Sequence, residues 1–175
     1  MAAEWRPAQR WLHWVTAVLV TAGFALAWVM TAIPFRQLAL KFWLYQAHKS
    51  IGVLVLLAVV ARLVLLARHG RPPSALTARA ARWAAVGHWA LYALLLIVPV
   101  LGYLTADTAA LPIPTLFLGV LKLPPLLERD PARFAVLVVL HRAAAVALVG
   151  LALGHAGMAL RHRTAGWFGR IGGGR

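Results

Sequence analysis

The sequence has no cysteine. That excludes disulfides, thiolate-ligated iron–sulfur clusters and the C-x-x-C-H attachment of c-type haem, so any haem would be held without a thioether link. Acidic residues are nearly as scarce, with four Asp and Glu against 18 Lys and Arg. Asp107 is the acid closest to an apolar run, and it falls at a run end. Charged residues of all kinds make up 13% of the 175 residues. A soluble domain carries roughly a quarter. With 62% hydrophobic residues and a mean hydropathy of +0.79, lipid rather than water is the expected main solvent. The net charge of +14 could suggest nucleic acid, but the Arg residues sit at the ends of apolar runs and no nucleic-acid motif appears. They read as topology signals and headgroup contacts, and no nucleic-acid partner is expected.

A bilayer core of about 30 Å needs roughly 20 apolar residues in a helix. Four segments qualify, at about residues 11–33, 42–67, 83–105 and 132–160. The chain is expected to be all-α: a single transmembrane domain over residues 1–175, folded as a four-helix up-down bundle. Arg6 and Arg10 precede the first run as in a signal peptide. The run is longer than a typical h-region, so it is read as a retained helix. The third link contains Pro112, Pro114, Pro124 and Pro125, and its apolar middle, Thr115–Leu123, is too short to span. It is expected on the membrane surface or over the bundle mouth. Arg6, Arg10, Arg68, Arg71, Arg79, Arg82, Arg161, Arg163, Arg170 and Arg175 mark one side; Arg36, Lys41, Lys49, Lys122, Arg129 and Arg133 mark the other. The first set is larger, which predicts both termini on the cytoplasmic side. Trp5, Trp11, Trp43, Trp83 and Trp167 fall near the expected interfaces.

Seven histidines are present. His69 and His162 lie outside the apolar runs. His13, His48, His88, His141 and His155 lie inside them, where ionisable groups are costly and usually functional. His13, His88 and His155 share the cytoplasmic depth; His48 and His141 share the other. Fourteen residues separate His141 from His155, almost four turns, so both project from nearly one face about 21 Å apart along the axis. That is too far for one metal ion and suits two haems stacked across the bilayer. His48 is at the depth to face His141. His155 has two candidate partners, His13 and His88. Helix four is rich in small residues (Ala143, Ala144, Ala145, Ala147, Gly150, Ala152, Gly154, Ala156, Gly157), which would leave room for a planar ring or serve tight helix packing. Arg62 lies fourteen residues after His48 and is a candidate partner for a haem propionate, or an interfacial snorkelling Arg. Gly102, fourteen after His88, would relieve crowding at the outer ring. Arg142 and Lys49 directly follow ligand candidates and would meet a propionate or the headgroups.

Arg10-Trp11-Leu12-His13-Trp14, Ala47-His48-Lys49-Ser50-Ile51-Gly52, Gly87-His88-Trp89-Ala90-Leu91-Tyr92 and Leu140-His141-Arg142 with His155 together resemble the bacterial cytochrome b561 family. That family is related to the cytochrome b subunits of nickel–iron hydrogenases and formate dehydrogenases. The resemblance implies an inner-membrane cytochrome with two haem b. It implies His13 with His155 and His48 with His141 as the axial pairs. It leaves His88 without iron, as a group that hydrogen-bonds a quinone or relays a proton, or as polar packing.

The resemblance further implies electron transfer between a redox partner and membrane quinone. One activity in the family is superoxide oxidation with ubiquinone as acceptor. Arg36, Lys41 and Lys49 would then attract the anion. A subunit serving a hydrogenase, dehydrogenase or other periplasmic donor is the second reading. A His-lined metal or proton transporter is the third, weakened by the lack of intramembrane carboxylates.

Overall fold

The computed structural model describes residues 5–72, 77–111 and 113–161. Pro112, His162, Arg163, Trp167, Arg170 and Arg175 lie outside the described residues. Four long helices carry the fold: α1 Pro7–Ala32, α2 Leu38–His69, α3 Ala78–Thr108 and α4 Pro131–Arg161. All four are long and apolar enough to cross a membrane. Each is longer than its apolar run, because Ala- and Arg-rich flanks such as Ala78–Arg82 are good helix formers that hydropathy does not register. Close packing runs α1 on α2, α2 on α3 and α3 on α4, the up-down order. Among the described residues, no comparably close backbone approach joins α4 to α1 or to α2.

Helix ends follow local chemistry. Pro34 pushes Ile33 out of the helical region, to φ −65° and ψ 126°, and ends α1. The orphan carbonyls there are taken by Lys41, whose Nζ donates to Met30 O at 3.2 Å and Ile33 O at 2.7 Å. The residues 35–37 form one 3-10 turn into α2. At the other end of α2, Gly70 sits at φ +67° with its N–H on Leu66 O, a conformation glycine adopts without strain. Asp130 starts α4 by accepting the Ala132 and Arg133 N–H groups at 2.9 and 3.1 Å, ahead of Pro131 at the first turn.

The third link adds a short hairpin to the helical bundle. Thr115–Phe117 (β1) and Leu121–Leu123 (β2) pair antiparallel as a hairpin. Its turn has φ +53° at Leu118 and +78° at Gly119, with Val120 N–H on Phe117 O at 3.2 Å. Positive φ at both central residues is what a type I′ hairpin turn requires. Leucine there is strained, and two side chains of α2 hold it. Gln46 accepts the Leu116 N–H at 2.9 Å and donates to Pro114 O at 2.9 Å. Ser50 accepts the Leu118 N–H at 2.9 Å and donates to Leu116 O at 3.3 Å. The free edge of β1 is thus paired by a helix, one turn apart, and both side chains are buried. Tyr103 Oη donates to Pro124 O at 2.6 Å and Asp107 accepts the Leu126 N–H at 2.7 Å, tying the rest of the link to α3.

The buried apolar core is small, with Val55, Val59, Leu95 and Leu148 at its centre. Large apolar side chains such as Trp28, Val18, Val139 and Leu153 face outward, as a lipid solvent allows. Replacing Gln46 with Leu strands the Leu116 N–H and the Pro114 carbonyl, at about 1–3 kcal/mol for each group left without a partner. Hydrogen exchange at Leu116 and Leu118 should accelerate in Gln46→Leu while exchange in α3 stays slow. Unchanged protection at both amides would show that the helix does not hold the hairpin.

Candidate functional site

The five intramembrane histidines gather into two groups. At the hairpin end, the His48 and His141 rings have centroids 6.3 Å apart. At the opposite end, where α1 begins and α4 finishes, the His13 and His155 centroids are 6.1 Å apart. His88 also adjoins His155, with centroids 5.4 Å apart. His155 therefore touches both of the partners that depth alone allowed. Among the described residues, no three His, Asp or Glu converge as a closed metal cage.

The hairpin-end pair is anchored by backbone. His48 Nδ1 lies 2.9 Å from Gly23 O and His141 Nδ1 lies 3.0 Å from Val98 O. A carbonyl can only accept, so each Nδ1 carries the proton and each Nε2 keeps its lone pair. Gly102 is packed on His141: a Cβ added there would come within 2.9 Å of the imidazole Cε1. The sequence spacing related this glycine to the outer haem ring; its close neighbour in the structure is the His141 imidazole itself. The opposite pair has no such anchor on His13, whose Nδ1 is buried without a hydrogen-bond partner among the described residues.

These features meet the demands of a haem. A metal–imidazole nitrogen bond is about 2 Å, so two imidazoles on opposite sides of one metal have ring centroids about 6 Å apart. Both cross-helix pairs have that separation. The pairs join α4 to α1 and to α2, the two helices against which α4 has no close packing. The stand-off leaves width between helices where the rings face each other.

The small residues of α4 divide by helical phase. At 100° per residue, Ala144, Ala145 and Ala152 share the histidine face with buried Leu148. Gly150, Gly154 and Gly157 lie on the far side, exposed, with nothing within 4 Å of an added Cβ. Only the alanines contribute room beside the histidines; the glycines flatten the outer surface.

The cations take distinct places. Arg62 lies at the three-histidine end, where its charge acts on His13, His88 and His155. Its guanidinium carbon sits 5.2 Å from the Tyr92 ring centroid, a cation–π contact that the sequence reading did not single out. Arg71 stacks likewise on Trp89 at 5.3 Å. At the hairpin end, Arg36 is exposed in the 3-10 turn and Arg142 is exposed on α4. Lys49 is half-buried with Asp107 as its nearby opposite charge. Lys41 is committed to the α1 carbonyls and stacks 4.8 Å from the Phe35 ring. The Gly23 and Val98 carbonyls were also beyond sequence reasoning, since a backbone acceptor leaves no trace in residue type.

Gly102→Ala should tilt His141 or push α3 from α4, at a cost of about 1–3 kcal/mol as overpacking does. A lower unfolding temperature and less bound haem are expected. Wild-type values for both would show that the contact is slack.

The prokaryotic cytochrome b561 family model matches residues 4–167. A relative, cytochrome b561 homolog 2 of Escherichia coli (strain K12), is 33% identical over 159 residues, covering 86% of this chain and 79% of the relative. With four spanning helices and paired histidines at two depths, the chain belongs to the prokaryotic cytochrome b561 family of multi-pass membrane proteins that transfer electrons on haem b.

Proposed function

We propose that the chain holds two haem b, one between His48 and His141 and one between His13 and His155, and links a donor outside the membrane to membrane quinone. The observation that carries the proposal is the recurrence of one cross-helix ring separation, 6.3 and 6.1 Å, at two depths about 21 Å apart along α4. The His88–His155 contact is shorter, at 5.4 Å, which favours His13 as the second axial partner. Bound haem would supply a one-electron ferric–ferrous couple at each depth. The chain's own residues present neutral imidazole nitrogens, fix the tautomer at His48 and His141, and exclude water with an apolar bundle. Arg62 would neutralise a propionate at the His13 end, and Arg142 would do so at the other.

The excess of Lys and Arg orients the three-histidine end toward the cytoplasm. The hairpin end then faces the periplasm in a bacterial inner membrane and meets the donor. Superoxide, a small anion, suits its cationic surface. Of Arg36, Lys41 and Lys49, Arg36 is exposed, while Lys41 and Lys49 add to the field from engaged positions. Superoxide gives up one electron to become O2. Two such electrons and two protons reduce a ubiquinone to its quinol, and His88 would hand on a proton.

Replacing His48 or His141 with Ala should remove one haem, and replacing His13 or His155 the other. His88→Ala should keep both. A haem lost with His88 would overturn the pairing. Under a superoxide flux, purified protein should reduce ubiquinone. Arg36→Gln should slow the reaction about 2- to 10-fold at low salt, with the difference closing as salt screens the charge. A rate indifferent to both Arg36 and salt would count against electrostatic capture of superoxide.

A further inference from the structure

We infer that the two haem sites are held at unequal potentials, the His13–His155 site being the more readily reduced, and that Arg62 at one end and the Gly23 and Val98 carbonyls at the other set the difference. The inference rests on the two-haem proposal above. Two independent features of the chain push the same way.

The first is ligand polarisation. When Nδ1–H donates to a carbonyl, the imidazole becomes a more basic ligand. A more basic ligand favours the ferric state, which carries the greater positive charge, and so lowers the potential. His48 and His141 both have this bond, at 2.9 and 3.0 Å. At the other site, the buried His13 Nδ1 has no partner among the described residues, so that ligand lacks the added basicity.

The second is fixed charge. Reduction adds one negative charge to the iron, so a nearby cation raises the potential. Arg62 is always protonated, and its field falls on His13, His88 and His155. The Tyr92 ring, 5.2 Å from the guanidinium carbon, holds it in place. No carboxylate among the described residues sits at that end: Asp107 closes α3, and Glu128 and Asp130 precede α4, all at the hairpin end. The cations beside the other pair act more weakly. Arg142 is exposed, and Lys49 is opposed by Asp107. With both haems bound, an electron at equilibrium would therefore reside at the three-histidine end.

The test is an optical redox titration of the purified haem-loaded protein in lipid nanodiscs. Two components are expected, separated by at least about tenfold in reduction equilibrium, or about 59 mV for a one-electron couple. The high-potential component should vanish in His155→Ala. Arg62→Gln should lower that component alone, by about the same tenfold, and Arg62→Lys, which keeps the charge, should largely restore it. Loss of the low-potential component in His155→Ala would reverse the order and overturn the inference, as would equal shifts of both components in Arg62→Gln. Should His155→Ala lose all haem, the comparison of Arg62→Gln with Arg62→Lys decides alone. A wild-type protein with one haem or none would overturn the two-haem proposal itself. Two haems in the wrong order would overturn only this inference.

Discussion

A neutral imidazole carries one donor and one acceptor nitrogen, and inside a lipid-embedded bundle neither can be left to water. Much of this structure follows from that constraint. At the hairpin end the donor of each ring is spent on a backbone carbonyl, from Gly23 and from Val98. Each ring keeps one acceptor nitrogen in a low-dielectric interior, where a polar atom left without a partner is costly. The two ring centroids stand 6.3 Å apart, the separation that two imidazoles sharing one metal would have. The absence of Cβ at Gly102 is part of the same arrangement, because it gives His141 the space to lie where it does.

The four spans, their up-down order and the two depths of histidine were legible in the sequence, because intramembrane polar groups are costly and stand out against Leu, Val and Ala. Helix periodicity correctly placed His141 and His155 on one face. Depth alone could not choose between His13 and His88, and the three-dimensional arrangement explains why: both rings adjoin His155, differing by less than an ångström in centroid separation. Counting small residues on α4 was less informative than phasing them, since Gly150, Gly154 and Gly157 turn away from the histidines.

What was not legible involves backbone or long-range pairing. The segment 115–123 is too short to span and too apolar to read as an ordinary loop. Its hairpin becomes intelligible only with Gln46 and Ser50, nearly 70 positions earlier, which pair the strand edge. Those two residues lie in a helix otherwise read as a lipid-spanning run, and their polarity is the signal that could have been followed. Lys41 illustrates the opposite case. Its charge drew attention as part of an anion-attracting surface, yet its ammonium group closes the C-terminus of α1, a task set by Pro34 and the turn that follows. Tyr92 was visible only as part of a motif; its ring under Arg62 gives it a role in holding a charge beside three histidines.

The central claim is that paired histidines at two depths each hold an iron porphyrin. It is tested most directly by a reduced-minus-oxidised spectrum of the wild-type protein together with its haem-to-protein ratio. The account predicts b-type bands and about two haems per chain, the number that two bis-imidazole sites require. A colourless protein, or a ratio that stays at one haem per chain when haem is supplied in excess, would contradict it.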